Sequence, residues 1–181
     1  MTILLFGVSN VGKTTVGELL AKQLGYVFYD LDEEVKHRQN ITLEEFVSKG
    51  TLWERDMIRC GILLSLLKEN TDKVIAITPL SYIENIRHFL STSDILAIEL
   101  IDSPQNIFDR LVFSDKNDVL YKEDDYKYEH LEYYISEINK DLDWYGYVYT
   151  DIKNKFDIQG RTPAAVVDSL ISEFQLHTKE I

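Results

Sequence analysis

The chain has 181 residues, 45% of them hydrophobic, which is the span of one domain with insertions and enough to bury a substantial core. Its 31 acidic and 19 basic side chains leave a formal net charge of −12, and no basic run interrupts the excess, which excludes nucleic acid and anionic membranes as partners. Cys60 is the sole cysteine, so an intrachain disulfide and a CxxC site are ruled out, and no apolar run approaches the length of a membrane span. The N-terminus enters a strand at once instead of carrying a signal segment, so the cytoplasm is the expected compartment.

Thr2-Ile3-Leu4-Leu5-Phe6 predicts a buried strand running into Gly7-Val8-Ser9-Asn10-Val11-Gly12-Lys13-Thr14, which reads G-x-x-x-x-G-K-[ST]. This is the pattern of a phosphate-binding loop. Backbone N–H groups in a glycine-permitted turn point at phosphate oxygens, and the helix N-terminus that follows favours negative charge. Lys13 is expected to reach the outer phosphates and Thr14 to hold Mg2+, with Gly7, Val8, Ser9, Asn10, Val11, Gly12 and Thr15 completing the nucleotide-binding stretch. Val16, Leu19, Leu20 and Leu24 fall at helical spacing, and Gly25 is placed to end that helix.

Tyr26 to Tyr29 predicts a second strand ending at Asp30-Leu31-Asp32. A carboxylate pair past a strand's C-terminal end lies on the edge where open parallel sheets bind ligands. Two readings of the pair stand side by side: one carboxylate faces Mg2+ while the other faces an acceptor hydroxyl, or Asp32 merely caps a helix from Glu33 to Gln39. Thr42-Leu43-Glu44-Glu45 has the capping-box pattern of a short helix, and a longer one is expected from Leu52 to Lys68, with Trp53, Met57, Ile58, Ile62, Leu63, Leu66 and Leu67 on its apolar face. This all-helical stretch, about residues 32–70, is long for a simple crossover and suits a substrate-binding insertion. Arg55 and Arg59 lie one helical turn apart, where a guanidinium fork matches a carboxylate, although solvent-facing arginines take the same spacing.

Lys73 to Thr78 predicts a third strand stopped by Pro79, Ser81-x-x-Glu84 a helix through Leu90, and Ile95 to Ile101 a fourth strand. A further helix is expected to end near Phe113. Residues 114–125 are polar, without periodicity, and read as a mobile lid whose cations are Lys116 and Lys122. A helix over Tyr128 to Leu142, a strand at Phe156-Asp157-Ile158 and a closing helix from Ala164 to Phe174, with Thr162 as cap and Pro163 at its first position, complete the chain. Alternation of strand and helix argues an α/β three-layer fold around a central parallel sheet of about five strands, in one domain over residues 1–181.

The loop from Gly7 to Thr14, the segment Thr15 to Tyr26, Asp30-Leu31-Asp32-Glu33-Glu34 and Asp157-Ile158-Gln159-Gly160-Arg161-Thr162-Pro163 together resemble the shikimate kinase family of small P-loop kinases. The resemblance implies an ATP-dependent kinase that transfers the γ-phosphoryl group to a hydroxyl of a small polar acceptor, shikimate being the best single guess. It implies that Asp32 orients and deprotonates that hydroxyl, Asp30 supports Mg2+, Arg161 and Pro163 pack on adenine, and Arg55 grips the substrate carboxylate. The chain departs from the family's pattern in two places. A glycine triplet is replaced by Thr78-Pro79-Leu80-Ser81-Tyr82, and no arginine stands between Arg110 and Arg161. The other expectations left open are a kinase for a different hydroxyl acceptor and a catalytically impaired ATP-binding regulatory module.

Overall fold

Five parallel strands form the centre of the molecule, a computed structural model that describes residues 1–177. They are β1 (Thr2–Phe6), β2 (Val27–Asp30), β3 (Lys73–Ala76), β4 (Ile95–Ile101) and, after a separate two-stranded hairpin of β5 (Phe113–Ser114) and β6 (Leu120–Tyr121), β7 (Asn154–Asp157). The order across the sheet is β2-β3-β1-β4-β7, which puts the strand that feeds the glycine loop in the middle. Every residue of β1 and β3 is buried, as expected of parallel strands covered on both faces, whereas Val27 on the edge strand β2 is exposed.

The helices are α1 (Lys13–Leu24), α2 (Leu31–Gln39), α3 (Leu43–Ser48), α4 (Leu52–Leu67), α5 (Pro104–Arg110), α6 (Asp124–Glu129), α7 (Leu131–Val148) and α8 (Pro163–Glu173). One core layer joins Ile3, Leu5, Val74 and Ile98 of the sheet to Leu20 and Leu24 of α1 and Val167 and Leu170 of α8. The other joins Leu4, Phe6 and Ile75 to Leu31 and Val35 of α2, Leu63 and Leu66 of α4, and Tyr149. Gly25 ends α1 in a left-handed conformation, and Thr162 caps α8 with Pro163 at its first turn. No helix among the described residues is long and apolar enough to cross a membrane.

The expected helix from Ser81 is absent: residues 79–86 are irregular and only a 3-10 turn, Arg87–Ser91, follows. The capping residue is engaged elsewhere, because the Ser81 amide donates to Asp56 at 2.9 Å and its hydroxyl accepts from Trp144 Nε1 at 3.0 Å. The apolar face of α4 is narrower than its pattern suggests, since Trp53 and Ile58 are exposed while Cys60 and Ile62 turn inward. The polar segment after α5 folds as a hairpin. Asp115 Oδ1 accepts from the amides of Asn117 and Val119 at 2.8 and 3.0 Å, and Asp118 takes a positive φ of 61°, so side-chain turn chemistry orders a stretch without hydrophobic periodicity. The helix that follows breaks at His130 and then runs six residues beyond the expected end, taking Trp144 to Val148 into α7.

Two consequences are measurable. A Cβ at Gly7, whose φ is 136°, would lie 2.5 Å from the Leu100 carbonyl oxygen, so Gly7→Ala is expected to lower stability by about 3 kcal/mol in denaturant titration. Burial pushes the Cys60 thiol up from 9.0 to about 11. The unfolded thiol then ionises while the folded one stays neutral, and stability falls as pH rises from 9 toward 11; Cys60→Ala should flatten that part of the urea-midpoint profile.

Candidate active site

The carboxyl ends of β1, β2 and β3 open on one side of the sheet, and the loop between β1 and α1 lies across them. Gly12 takes a φ of 110° immediately before α1, a conformation an L side chain adopts only with strain, and Gly12 to Thr15 at the helix start line a cleft. Lys13 Nζ folds over the loop and donates to the carbonyls of Gly7 at 3.0 Å and Val8 at 2.7 Å. Its burial lowers the ammonium pKa to about 8, against the opposing pull of Asp30 and Asp32. Among the described residues no carboxylate lies at ion-pair distance from Nζ, so two carbonyls hold the charge directly, a setting that suits an anionic ligand.

Asp30, the last residue of β2, divides its carboxylate. Oδ1 accepts from the amides of Asp32 at 2.9 Å and Glu33 at 3.4 Å, and Oδ2 accepts from Thr14 Oγ1 at 2.6 Å. The cap of α2 is therefore Asp30, not Asp32, and the helix begins at Leu31. Freed of capping, Asp32 pairs with Arg59 Nη2 at 3.3 Å. Burial raises the Asp32 pKa; Arg59 and a hydrogen bond from Thr78 oppose the rise. Arg59 is buried over the Phe46 ring, and its Nη1 lies 3.5 Å from Asp56. Asp56 Oδ2 also accepts from the amides of Ser81 and Tyr82 at 2.9 and 3.2 Å, while the Leu80 amide donates to Tyr149 Oη at 2.8 Å.

Two clefts meet at Lys13 and Thr14. One, of about 550 Å³, is lined by Gly12, Thr15, Arg110, Lys122 and Lys127 as well. The other, of about 510 Å³, adds Asp30, Asp32, Lys36, Thr78 and the hairpin's Asp118. Asp118 ties the hairpin to the helical insertion, accepting from the Leu43 amide at 2.8 Å with Lys36 Nζ at 3.8 Å. Arg161 and Pro163 line a narrow recess against Gly12, Thr15 and Arg110. Hydrogen bonds to Ile158 O, Asp157 O and Ser169 Oγ fix the Arg161 fork, and its guanidinium lies 5.0 Å from the Phe156 ring centre.

Arg55 does not join this group. It donates to the carbonyls of Lys49 and Gly50 at 3.2 and 3.0 Å and lines a separate groove beside Trp53 and Met57. Helix α4 is rotated so that Arg59, not Arg55, meets Asp32. The expected lid cations also separate: Lys122 lines the larger cleft and Lys116 does not. No group of three His, Cys, Asp or Glu among the described residues is placed to hold a metal alone. The Thr14 hydroxyl and Asp30 carboxylate are hard oxygen donors that suit Mg2+, which keeps several of its ligands as water and phosphate.

The family model "Shikimate kinase" matches residues 9–174. The chain belongs to the shikimate kinase family. It is 37% identical over 76 residues to a shikimate kinase of Chloroherpeton thalassium, covering 41% of this chain and 40% of the relative. It is 32% identical over 83 residues to one of Geobacillus thermodenitrificans, covering 45% and 44%. The matched segments thus span less than half the length of these curated relatives. Among solved structures, shikimate kinase from Bacteroides thetaiotaomicron superposes with a TM-score of 0.77 at 22% identity, covering 97% of this chain and 99% of the other. Shikimate kinase from Acinetobacter baumannii, solved in complex with shikimate, gives 0.70 at 23% identity, covering 96% and 92%. At these identities the structural likeness shows the fold: a five-stranded parallel sheet with helices on both faces, as in these shikimate kinases.

Sequence reasoning passed over Asp56, Lys127 and Asp118. Asp56 and Lys127 sit within helices among other charged residues, and Asp118 in a polar turn, so no periodicity marks them. If Lys13 is the phosphate cation, Lys13→Ala should weaken Mg-ATP binding by tenfold or more in calorimetric titration while denaturant unfolding stays cooperative. Unchanged ATP affinity would defeat the phosphate-loop assignment.

Proposed function

We propose that this chain transfers the γ-phosphoryl group of ATP to a hydroxyl of a small polar acceptor, with shikimate the first acceptor to test. The observation that carries the reading is the junction of the two clefts at Lys13 and Thr14, with Asp30 and Asp32 on the acceptor side. Family membership supports the same chemistry, and the Acinetobacter baumannii relative was solved with shikimate bound.

In this scheme the loop amides and Lys13 hold the phosphates, and Arg161 and Pro163 border the adenine end. Thr14 and Asp30 hold Mg2+, which supplies charge neutralisation to the phosphate oxygens. Asp32 accepts a hydrogen bond from the acceptor hydroxyl and takes its proton as the new O–P bond forms and the bond to ADP breaks. Arg59 fixes the orientation of Asp32 and counters the burial that would neutralise it. The helical insertion from residue 32 to 70 forms the acceptor wall, and the hairpin, latched by Asp118, keeps water from the phosphoryl group. Arg59 takes the place beside the acceptor that the sequence suggested for Arg55. Lys13, Thr14, Asp30 and Asp32 stand together, which weighs against an impaired regulatory module.

The test is acceptor-dependent ADP production with Mg-ATP, shikimate first and then other hydroxy acids, sugars and nucleosides. Asp32→Asn is expected to lower kcat by about a hundredfold or more while the ATP dissociation constant stays within about twofold. Turnover equal to wild type would leave Asp32 as no more than a partner for Arg59, and silence of the wild type across the panel would defeat the kinase reading.

A further inference from the structure

The cleft beside the glycine loop holds one buried cation that has no carboxylate partner among the described residues. Lys127 lies in α6, just past the hairpin, and is 3% exposed. Its Nζ donates to the carbonyls of Asp109 at 3.0 Å and Leu111 at 3.4 Å, at the end of α5, and lies 4.8 Å from the Phe108 ring centre and 5.7 Å from that of Tyr128. Among the described residues no carboxylate pairs with it: the ion pairs of the molecule engage Lys36, Lys49, Lys73, Lys140 and Lys155 but not Lys127. A buried ammonium held only by carbonyl dipoles and ring faces is incompletely compensated, because such groups are retained in proteins when an anion pairs with them.

The neighbouring cations differ from it. Arg110 is bound to Asp102 at 2.6 Å and to the Asn10 carbonyl, so its fork is committed to the fold. Lys122 is exposed and held by no ion pair among the described residues. Lys127 alone of the three is both buried and without a carboxylate, and it lines the same cleft as Gly12, Lys13, Thr14 and Thr15. The two carbonyls use two of its three N–H donors, which leaves the third for a ligand in the cleft that Lys127 and the loop both line.

We propose that Lys127 is a phosphate-binding residue of the nucleotide site, meeting the phosphates of a nucleoside di- or triphosphate from the side opposite the glycine loop. The rigid cradle of two carbonyls and two rings lets a lysine serve where a flexible surface lysine would not, because the charge is placed before the ligand arrives. The inference rests on the kinase reading only in taking the cleft's ligand to be a nucleotide phosphate.

The full chain is titrated calorimetrically with Mg-ADP, the Mg complex of a non-hydrolysable ATP analogue, and adenosine, as wild type, Lys127→Met and Lys127→Arg. Methionine keeps the stem packed on Phe108 and removes the charge. The expected result is a loss of at least about tenfold in affinity for the phosphorylated nucleotides, unchanged adenosine binding within about twofold, and recovery of most of the loss by arginine. Equal weakening of adenosine and the nucleotides would mark a structural role and overturn the proposal, as would nucleotide affinities within twofold of wild type. If the methionine variant does not fold, the ε-ammonium NMR signal of Lys127 in the wild type decides. A shift on adding the ATP analogue and none with adenosine supports the assignment; no shift with either overturns it. Tight nucleotide binding through Lys127 without acceptor-dependent ADP release would defeat the kinase reading and leave this one standing.

Discussion

The Asp30 carboxylate is the joint on which the site depends. With one oxygen it caps α2 and sets where the helical insertion leaves the sheet; with the other it takes the Thr14 hydroxyl at the first turn of α1. The starts of α1 and α2 are thereby registered through a single group at the end of a strand. Because the cap is supplied by Asp30, the next acidic residue is left to point at Arg59 instead of stabilising its own helix. A one-residue change in the start of α2 would exchange these roles, so the helix start, a local matter of capping, decides which carboxylate faces the acceptor cleft.

Charge is handled differently on the two sides. The chain is acidic overall, with a net charge of −12, so long-range attraction does not bring phosphates to it. The cleft beside the glycine loop instead holds Lys13 and Lys127 by hydrogen bonds to backbone carbonyls, with no carboxylate of the described residues at ion-pair distance from either. In the cleft beside Asp32 each cation is already engaged by two carboxylates: Arg59 stands between Asp32 and Asp56, and Lys36 stands between Glu33 and Asp118. Cations held by dipoles favour a highly charged ligand, whereas compensated pairs orient a polar one with little net pull.

Much of the framework was legible in the sequence because it rests on local signals. The apolar run of β1, the glycine loop, the stop at Gly25 and the Thr162-Pro163 start of α8 each depend on residues within one turn of each other. The same motif named Lys13 and Thr14, which both clefts share. What stayed hidden depends on contacts across the chain. Arg55 and Arg59 share a helical face in sequence, and only the packing of α4 over Phe46 turns the second toward Asp32 and leaves the first on the Lys49 and Gly50 carbonyls. The hairpin after α5 is ordered by backbone amides donating to the Asp115 carboxylate, which hydrophobic periodicity does not register. Lys127 reads as a solvated residue of an acidic helix until α5 and the Phe108 ring close over it.

The turn after β3 illustrates how a local rule is overridden. Ser81-x-x-Glu84 carries a helix-start signal, and the resemblance implies glycines here, where backbone amides would be open to a ligand. In this chain Leu80, Ser81 and Tyr82 already spend their amides on Tyr149 and Asp56, two buried side chains from α4 and the end of α7. Three satisfied amides and a proline that has none leave this turn no free backbone donors at positions 79–82. The polar groups that line the cleft beside it are the side chains of Asp32, Lys36 and Thr78 and the hairpin's Asp118. The same buried Asp56 that closes the turn also holds Arg59 against Asp32. Loss of open backbone at the turn and the ordering of the acidic side chain at the cleft are two effects of one carboxylate.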